Sequence, residues 1–356
     1  MIDKIDELME NAVKQAVFPG GTLLVASGKS IVYHESFGTI SVKSDVAVTA
    51  ETVFDLASLT KPLVTVPGIL QLIRSNKITL NTRVAELFDT FSVAEKNDIT
   101  ISDLLVHTSG LPAHRPYYEL LRDIDRGRRI YQLQQMVLNE PIEYLRGEKV
   151  IYSDLGFMIL GWIIEKISGQ KLNNYIYEHV FGPLGIDDLF FPADKQENTR
   201  IIYAATEKCP WRMKQLSGEV HDDNAWIAGG IFGHAGLFGT ASGVLRLLRE
   251  YQDIYTGRNH GGVFDAALLK VFLSEYNETG RTFGFDIPSA VGSSSGSFFS
   301  KRSVGHLGFT GTSFWMDLEK SIIIILLTNR VNPSRENIKI RDFRPDIHNF
   351  IMQLVK

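Results

Sequence analysis

The sequence predicts an α/β (α+β) protein: an antiparallel sheet built from both ends of the chain, flanked by N- and C-terminal helices, with a large mainly helical segment inserted. Three observations carry this reading. Strand-period runs lie near both termini, helical periodicity dominates the middle, and each terminus itself reads as a helix. Residues 1–50 and 280–356 are therefore expected to form the sheet part and residues 51–279 the helical part, with a site between them.

Taken in order, Ile2, Ile5, Leu8, Met9, Ala12, Val13 and Val17 recur at helical spacing and predict an amphipathic helix within residues 1–20. Gly21–Ala26 and Ile31–Phe37, joined through Ser27-Gly28-Lys29, read as a hairpin. Helical segments follow at Pro62–Arg74, Ile101–Val106, Arg128–Asn139 and Gly156–Ile167, the first kinked at Pro67. Strand period returns at Ser303–Phe309, Ser313–Leu318 and Ser321–Asn329, before a last helix at Pro345–Val355.

With 44% hydrophobic and 22% charged residues, the 356-residue chain has a globular balance and enough length for a large core. A net charge of −4 without a basic run argues against nucleic acid as a partner. The one cysteine, Cys209, excludes an intrachain disulfide. Ile322–Leu327, the longest apolar run, is too short to span a bilayer. The first residues lack the basic start and unbroken apolar stretch of a secretory signal. The reading is cytoplasmic, or periplasmic or secreted if a leader has been removed.

The chemistry centres on Ser58-Leu59-Thr60-Lys61. Three residues apart on a helix, hydroxyl and amine share a face. A serine becomes a nucleophile when a neighbour takes its proton, and a lysine can do so where burial favours its neutral form. A second match, Ser168-Gly169-Gln170-Lys171, closes an apolar helix, and its glycine reads as a helix stop. Ser58 differs in its company: Tyr152-Ser153-Asp154 before a helix, and His306-Leu307-Gly308-Phe309 on a C-terminal strand. A nucleophile, a second acid–base group and a glycine-bearing strand edge are what acyl transfer requires.

On these motifs, with Phe18-Pro19-Gly20-Gly21, His107-Thr108-Ser109-Gly110 and Gly182-Pro183-Leu184-Gly185, the whole chain resembles the serine β-lactamase and penicillin-binding-protein family. That family includes class C β-lactamases, D-alanyl-D-alanine carboxypeptidases, D-aminopeptidases and esterases. The resemblance implies the β-lactamase/transpeptidase-like fold and no cofactor. It implies an acyl-enzyme on Ser58, acid–base roles shared by Lys61 and Tyr152, and an oxyanion hole from the backbone N–H groups of Ser58 and Phe309. Asp154, His306 and Gly308 would contact a small ester, amide or β-lactam substrate.

Two departures bear on that substrate. Asp154 stands where the family's Tyr-x-Asn motif has asparagine, and His306-Leu307-Gly308 replaces Lys-Thr-Gly. Histidine is only partly charged at neutral pH, Leu307 lacks a hydroxyl, and an ionised Asp154 accepts but does not donate. All three weaken the hold on a carboxylate and favour an esterase or broad acyl hydrolase. The alternatives are a D-amino-acid peptidase or amidase whose substrate amine Asp154 accepts, a weak β-lactamase or carboxypeptidase, and a catalytically silent cell-wall-peptide-binding module. His107 reads as a structural turn residue and His221-Asp222-Asp223-Asn224 as an ordered polar loop. With no His-Glu-x-x-His and no phosphate loop around Gly229-Gly230, no metal or cofactor site is expected.

Overall fold

The computed structural model describes residues 2–194, 200–259, 262–274 and 280–355. Among these residues, seven strands form one antiparallel sheet. They are β1 (Gly20–Ser27), β2 (Ser30–Gly38), β3 (Arg281–Thr282), β4 (Phe285–Asp286), β5 (Ser303–Leu307), β6 (Ser313–Asp317) and β7 (Ile322–Thr328). Their order is β2-β1-β7-β6-β5-β4-β3. The two ends of the chain meet at the β1–β7 seam, where Gly21 faces Thr328 and Ser27 faces Ile322.

Both faces of the sheet are covered, which explains why β7 reads as an unbroken apolar run rather than an alternating one. Leu24, Ala26, Phe314, Met316, Ile323 and Ile325 point into the core shared with the helices of the chain's middle. Leu23, Val25, Trp315, Ile324 and Leu326 point the other way, beneath α1 (Ile2–Lys14) and the C-terminal helix (Ile340–Leu354). That last helix begins five residues earlier than Pro345, which it carries inside.

The helical part departs from expectation at one point. In place of a helix kinked at Pro67, residues Lys61–Thr65 form a wide turn closed by Val66 N–H to Lys61 O, and α2 (Val66–Arg74) starts afresh. Pro67 lacks the N–H that would bond Leu63 and its ring would crowd that carbonyl, so the widened turn replaces a kink. Downstream, α3 (Asp154–Ser168) is capped by Ser153, whose side chain accepts from Gly156 N–H, and stops at Gly169 in the left-handed region. Ser168 bonds Ile164 O, so the second Ser-x-x-Lys is a helix end, as read from the sequence.

Gly233 lets the chain pass against α3 closely enough for the next residue, His234, to reach Lys61. A Cβ there would lie 2.3 Å from Phe157 O and 2.9 Å from Thr65 Oγ1. Gly233→Ala is expected to lower stability by roughly 1–3 kcal/mol, since backbone must move. Urea unfolding of the variant measures it; a change under 0.5 kcal/mol, on the order of a neutral surface substitution, would contradict the packing argument.

Candidate active site

The chain leaves the short strand Phe54–Asp55 and turns at Ala57, whose φ is 47°. A left-handed conformation costs a non-glycine residue roughly 1–2 kcal/mol, so the surroundings must impose it. They do. The Asp55 carboxylate accepts Ala57 N–H at 2.8 Å and His221 N–H at 2.7 Å. Thr310 Oγ1 donates to Asp55 O at 2.6 Å and Thr312 Oγ1 to Leu56 O at 3.1 Å. Thr60 Oγ1 donates to Ala57 O at 2.6 Å. These bonds tie the turn to the loop after β5 and leave Ser58 partly open to solvent.

Lys61 lies one turn below Ser58 and its side chain is sealed from solvent. Its Nζ has three acceptors: Ser58 Oγ at 3.2 Å, Asp154 Oδ1 at 2.7 Å and His234 O at 3.1 Å. An ammonium has three protons and no lone pair, so this arrangement accommodates the charged form completely. Tyr152 covers the pair: Lys61 Nζ is 4.8 Å from its ring centre and Arg281 5.1 Å from the same ring. His107 holds the tyrosine from behind. Its Nδ1 accepts Ser153 N–H at 2.9 Å, its carbonyl accepts Ile151 N–H, and its ring lies 4.6 Å from that of Tyr152.

Gly308 ends the approach of β5 to the serine turn. A Cβ there would fall 2.0 Å from Thr312 Oγ1 and 2.6 Å from Leu56 O, so no larger residue fits. Gly308 N–H is spent on Thr312 O, but among the described residues neither Ser58 N–H nor Phe309 N–H meets a protein acceptor. The Phe309 ring stacks on His221 at 5.5 Å and carries the Arg330 guanidinium 4.8 Å from its centre.

Ser58, Tyr152 and Phe309 line two adjoining cavities. One, of about 430 Å³, includes His114, Asp154, Asp222, Asp223 and Arg335; the other, of about 330 Å³, includes Arg281, His306, Arg330, Arg341 and Arg344. A separate depression of about 490 Å³ between Leu87–Thr90 and Trp162–Lys166 contains none of these groups. The seven residues singled out from the sequence thus gather at one cleft. Sequence reasoning did not find Asp55, Arg281 or the His234 carbonyl. A main-chain carbonyl leaves no signature in sequence, and a lone Asp or Arg offers no spacing to read.

The sequence profile of the Beta-lactamase family matches residues 5–348. The chain belongs to that family, and at this level it is a serine hydrolase. It is 31% identical over 362 residues to a protein of Escherichia coli (strain K12) named "Putative D-alanyl-D-alanine carboxypeptidase", covering 90% of this chain and 81% of that one. A protein of the same name from Salmonella typhimurium is 29% identical over 95% of this chain and 85% of its own length. Among solved structures the fold is similar to EstCE1, a hydrolase with promiscuous acyltransferase activity (TM-score 0.75, 19% identity, 96% and 98% of the two chains). It is likewise similar to the octameric penicillin-binding protein homologue from Pyrococcus abyssi (TM-score 0.75, 20% identity, 100% and 78%). No helix among the described residues is long and apolar enough to cross a membrane.

The two departures from the family motifs now take a physical meaning. Asp154 is the counter-ion of Lys61 through Oδ1, with His114 Nδ1 3.7 Å from its other oxygen, and it lines the larger cavity. Burial disfavours its charge, but Lys61 and His114 outweigh that and hold the carboxyl well below the usual range. For Lys61 burial pulls downward, yet Asp154 and Tyr152 together raise the amine above its ordinary value. Desolvation pushes the Tyr152 phenol up, while Lys61 and Ser58 oppose the rise. His306 departs from the partly charged histidine expected from sequence. Burial and the nearby Lys61 and Arg281 charges, against the pull of Asp286, lower it to about 4, and its Nδ1 lies 2.9 Å from Leu307 O. A charge change near pH 6.5 is therefore not available at this position. The polar loop after Val220 is ordered as expected: Asp222 pairs with His234 at 3.1 Å, and Asp223 with Arg212 at 2.6 Å.

A histidine whose pKa falls on folding loses stability for the protein as pH drops, because the unfolded chain takes up a proton near 6.5 while the native site does not until about 4. Between pH 7 and 4 the native protein should therefore lose roughly 2–3 kcal/mol more unfolding free energy than His306→Gln, measured by urea titration at both pH values. Equal losses would show that His306 is not held neutral.

Proposed function

We propose that this protein hydrolyses acyl esters through an acyl-enzyme on Ser58, as an esterase or broad acyl hydrolase. The observation that carries this reading is the Lys61 ammonium, with the oxygen of a partly exposed serine as one of its three acceptors at the floor of an open cleft. In this reading Lys61 stays a fixed positive charge, Tyr152 releases its phenol proton to solvent before attack, and the resulting phenolate takes the Ser58 proton. The Lys61 charge favours the phenolate that must form. As Ser58 Oγ attacks the substrate carbonyl, Ser58 N–H and Phe309 N–H receive the developing oxyanion. One such donor contributes about 3–4 kcal/mol in the transition state. Tyr152 returns the proton to the leaving oxygen, then takes one from the water that releases the acyl group.

Ester is preferred to D-amino-acid amide because the Asp154 charge is already balanced by Lys61, which weakens its pull on a substrate amine. Ester over β-lactam follows from Leu307 and a neutral His306, which give a carboxylate nothing to bind at the strand triplet. A carboxypeptidase is the second reading, favoured by the name of the Escherichia coli relative and by the arginines in the adjoining cavity. A silent peptide-binding module fits less well, since it has no use for a strained Ala57 and a buried lysine beside an accessible hydroxyl.

The native protein should react with a fluorophosphonate probe and hydrolyse p-nitrophenyl acetate, and Ser58→Ala should lose labelling and at least about 10³-fold in kcat. Across p-nitrophenyl esters, D-alanine p-nitroanilide and a chromogenic cephalosporin, the esters should have the highest kcat/KM. A cephalosporin or anilide at the head of that ranking would replace the esterase reading. In Asp154→Asn the loss of one negative charge lowers the pKa of Tyr152, and the acidic limb of kcat/KM should move to lower pH by about one unit. An unmoved limb would mean that Tyr152 is not the base.

A further inference from the structure

The cavity on the β5 side of Ser58 has an unusual charge balance. Among its lining residues Arg281 is matched by Asp286, but among the described residues Arg330, Arg341 and Arg344 have no carboxylate partner. Arg330 donates to three main-chain carbonyls, those of Phe309, Arg335 and Asn337. Burial and the charge of Arg341 lower it to about 10, so it remains a cation. Arg344 is 5% exposed, yet among the described residues its guanidinium meets no hydrogen-bond acceptor, and its Nε is sealed without one. Its neighbours in charge are Arg330 and the buried neutral His348. A buried guanidinium without a partner is destabilising unless something pairs with it, and leaving such a charge unpaired costs several kcal/mol. Arg341, on the same helix and exposed, faces the cavity without an ion pair.

We propose that this cavity binds a phosphate-monoester group carried by the substrate whose acyl bond lies at Ser58. The proposal rests on the reading of Ser58 as the acylated residue and names the substrate class for it. Three unmatched guanidinium groups are poorly balanced by one carboxylate. A phosphoryl dianion brings two charges and three terminal oxygens arranged for the fork of an arginine. The volume of about 330 Å³ leaves room for such a group beside the reacting carbonyl. The arginines also replace what the strand triplet lacks: His306 is neutral and Leu307 has no hydroxyl, so anion recognition passes from β5 to the C-terminal helix and the loop before it.

The test is binding of inorganic phosphate at pH 7.5, followed by calorimetry on Ser58→Ala, where it is independent of turnover. One saturable site with Kd of about 1 mM or tighter is expected, a range accessible to a few charge-assisted hydrogen bonds. Acetate should bind at least tenfold more weakly, and succinate should fall between them. Arg341→Gln, at an exposed position, should weaken phosphate at least fivefold. Arg344→Gln should also lose affinity while unfolding at a higher temperature than the parent, since it removes an unpartnered buried charge. In the active protein phosphate should compete with p-nitrophenyl acetate. Absence of a saturable site, acetate binding as tightly as phosphate, or unchanged affinity in Arg341→Gln would each overturn the proposal. Absence of esterase activity in the native protein, or its retention in Ser58→Ala, with phosphate binding intact, would instead remove the reading of Ser58 and leave the anion site standing.

Discussion

The ion pair between Lys61 and Asp154 is the constraint on which the cleft depends. A lysine side chain wholly withdrawn from water needs a counter-charge and a complete set of acceptors, and this one has both at 2.7–3.2 Å. Each acceptor comes from a different stretch of chain: the serine turn, the start of α3 and the glycine-rich passage through Gly233. Satisfying one ammonium therefore fixes three segments relative to each other. The strained φ of Ala57, the absent Cβ of Gly308 and the close passage of Gly233 can be understood as consequences of bringing those segments within reach.

That pairing also separates the roles of two groups that spacing alone leaves equivalent. In the proposed mechanism Lys61, as an ammonium with three acceptors, leaves the serine proton to Tyr152. There its charge acts on the Tyr152 phenol, whose ring centre is 4.8 Å from Nζ, through both charge and a hydrogen bond, and Asp154 opposes it. An asparagine at the same position would keep an acceptor for Lys61 but remove the negative charge. In that reading the aspartate sets the site's pH response.

Much of the architecture was legible in the sequence because burial on a sheet face and on a helix stripe leave different periods. The hairpin, the three C-terminal strands and the join of both chain ends in one sheet follow from that difference. Ser58, Lys61 and Tyr152 were legible through motif company, and the stop at Gly169 through its position after an apolar helix. The wide turn at Lys61–Thr65 was not, because Pro67 signals a broken bond without saying whether the chain kinks or widens. Nor was the neutral state of His306, which depends on Lys61 and Arg281 arriving from distant positions. Arg330, Arg341 and Arg344 show the same limit: each is an ordinary surface residue in sequence, and only the fold reveals that no carboxylate accompanies them.

The cleft is consequently two-sided, and the difference lies in compensation more than in composition. Toward His114 and Asp222, Asp154 is paired with Lys61 and Asp223 with Arg212 and Arg335, and Asp222 lies 3.1 Å from His234 Nε2. That side is close to electrically complete, and a charged ligand there would have to displace an existing pair. Toward Arg344, among the described residues, only Arg281 has a carboxylate partner, Asp286, and Arg330, Arg341 and Arg344 have none. Field lines from unpaired cations in a low-dielectric wall extend into the cavity, whereas those of paired groups close on themselves. A substrate bearing an anion on one side of its acyl bond would be drawn in one orientation, with its carbonyl at Ser58 and its uncharged portion along Tyr118 and Phe309. Orientation of that kind is set before any bond to the serine forms, so in the proposed reading the arginines select which molecules arrive and the Lys61–Asp154 pair acts on them afterwards.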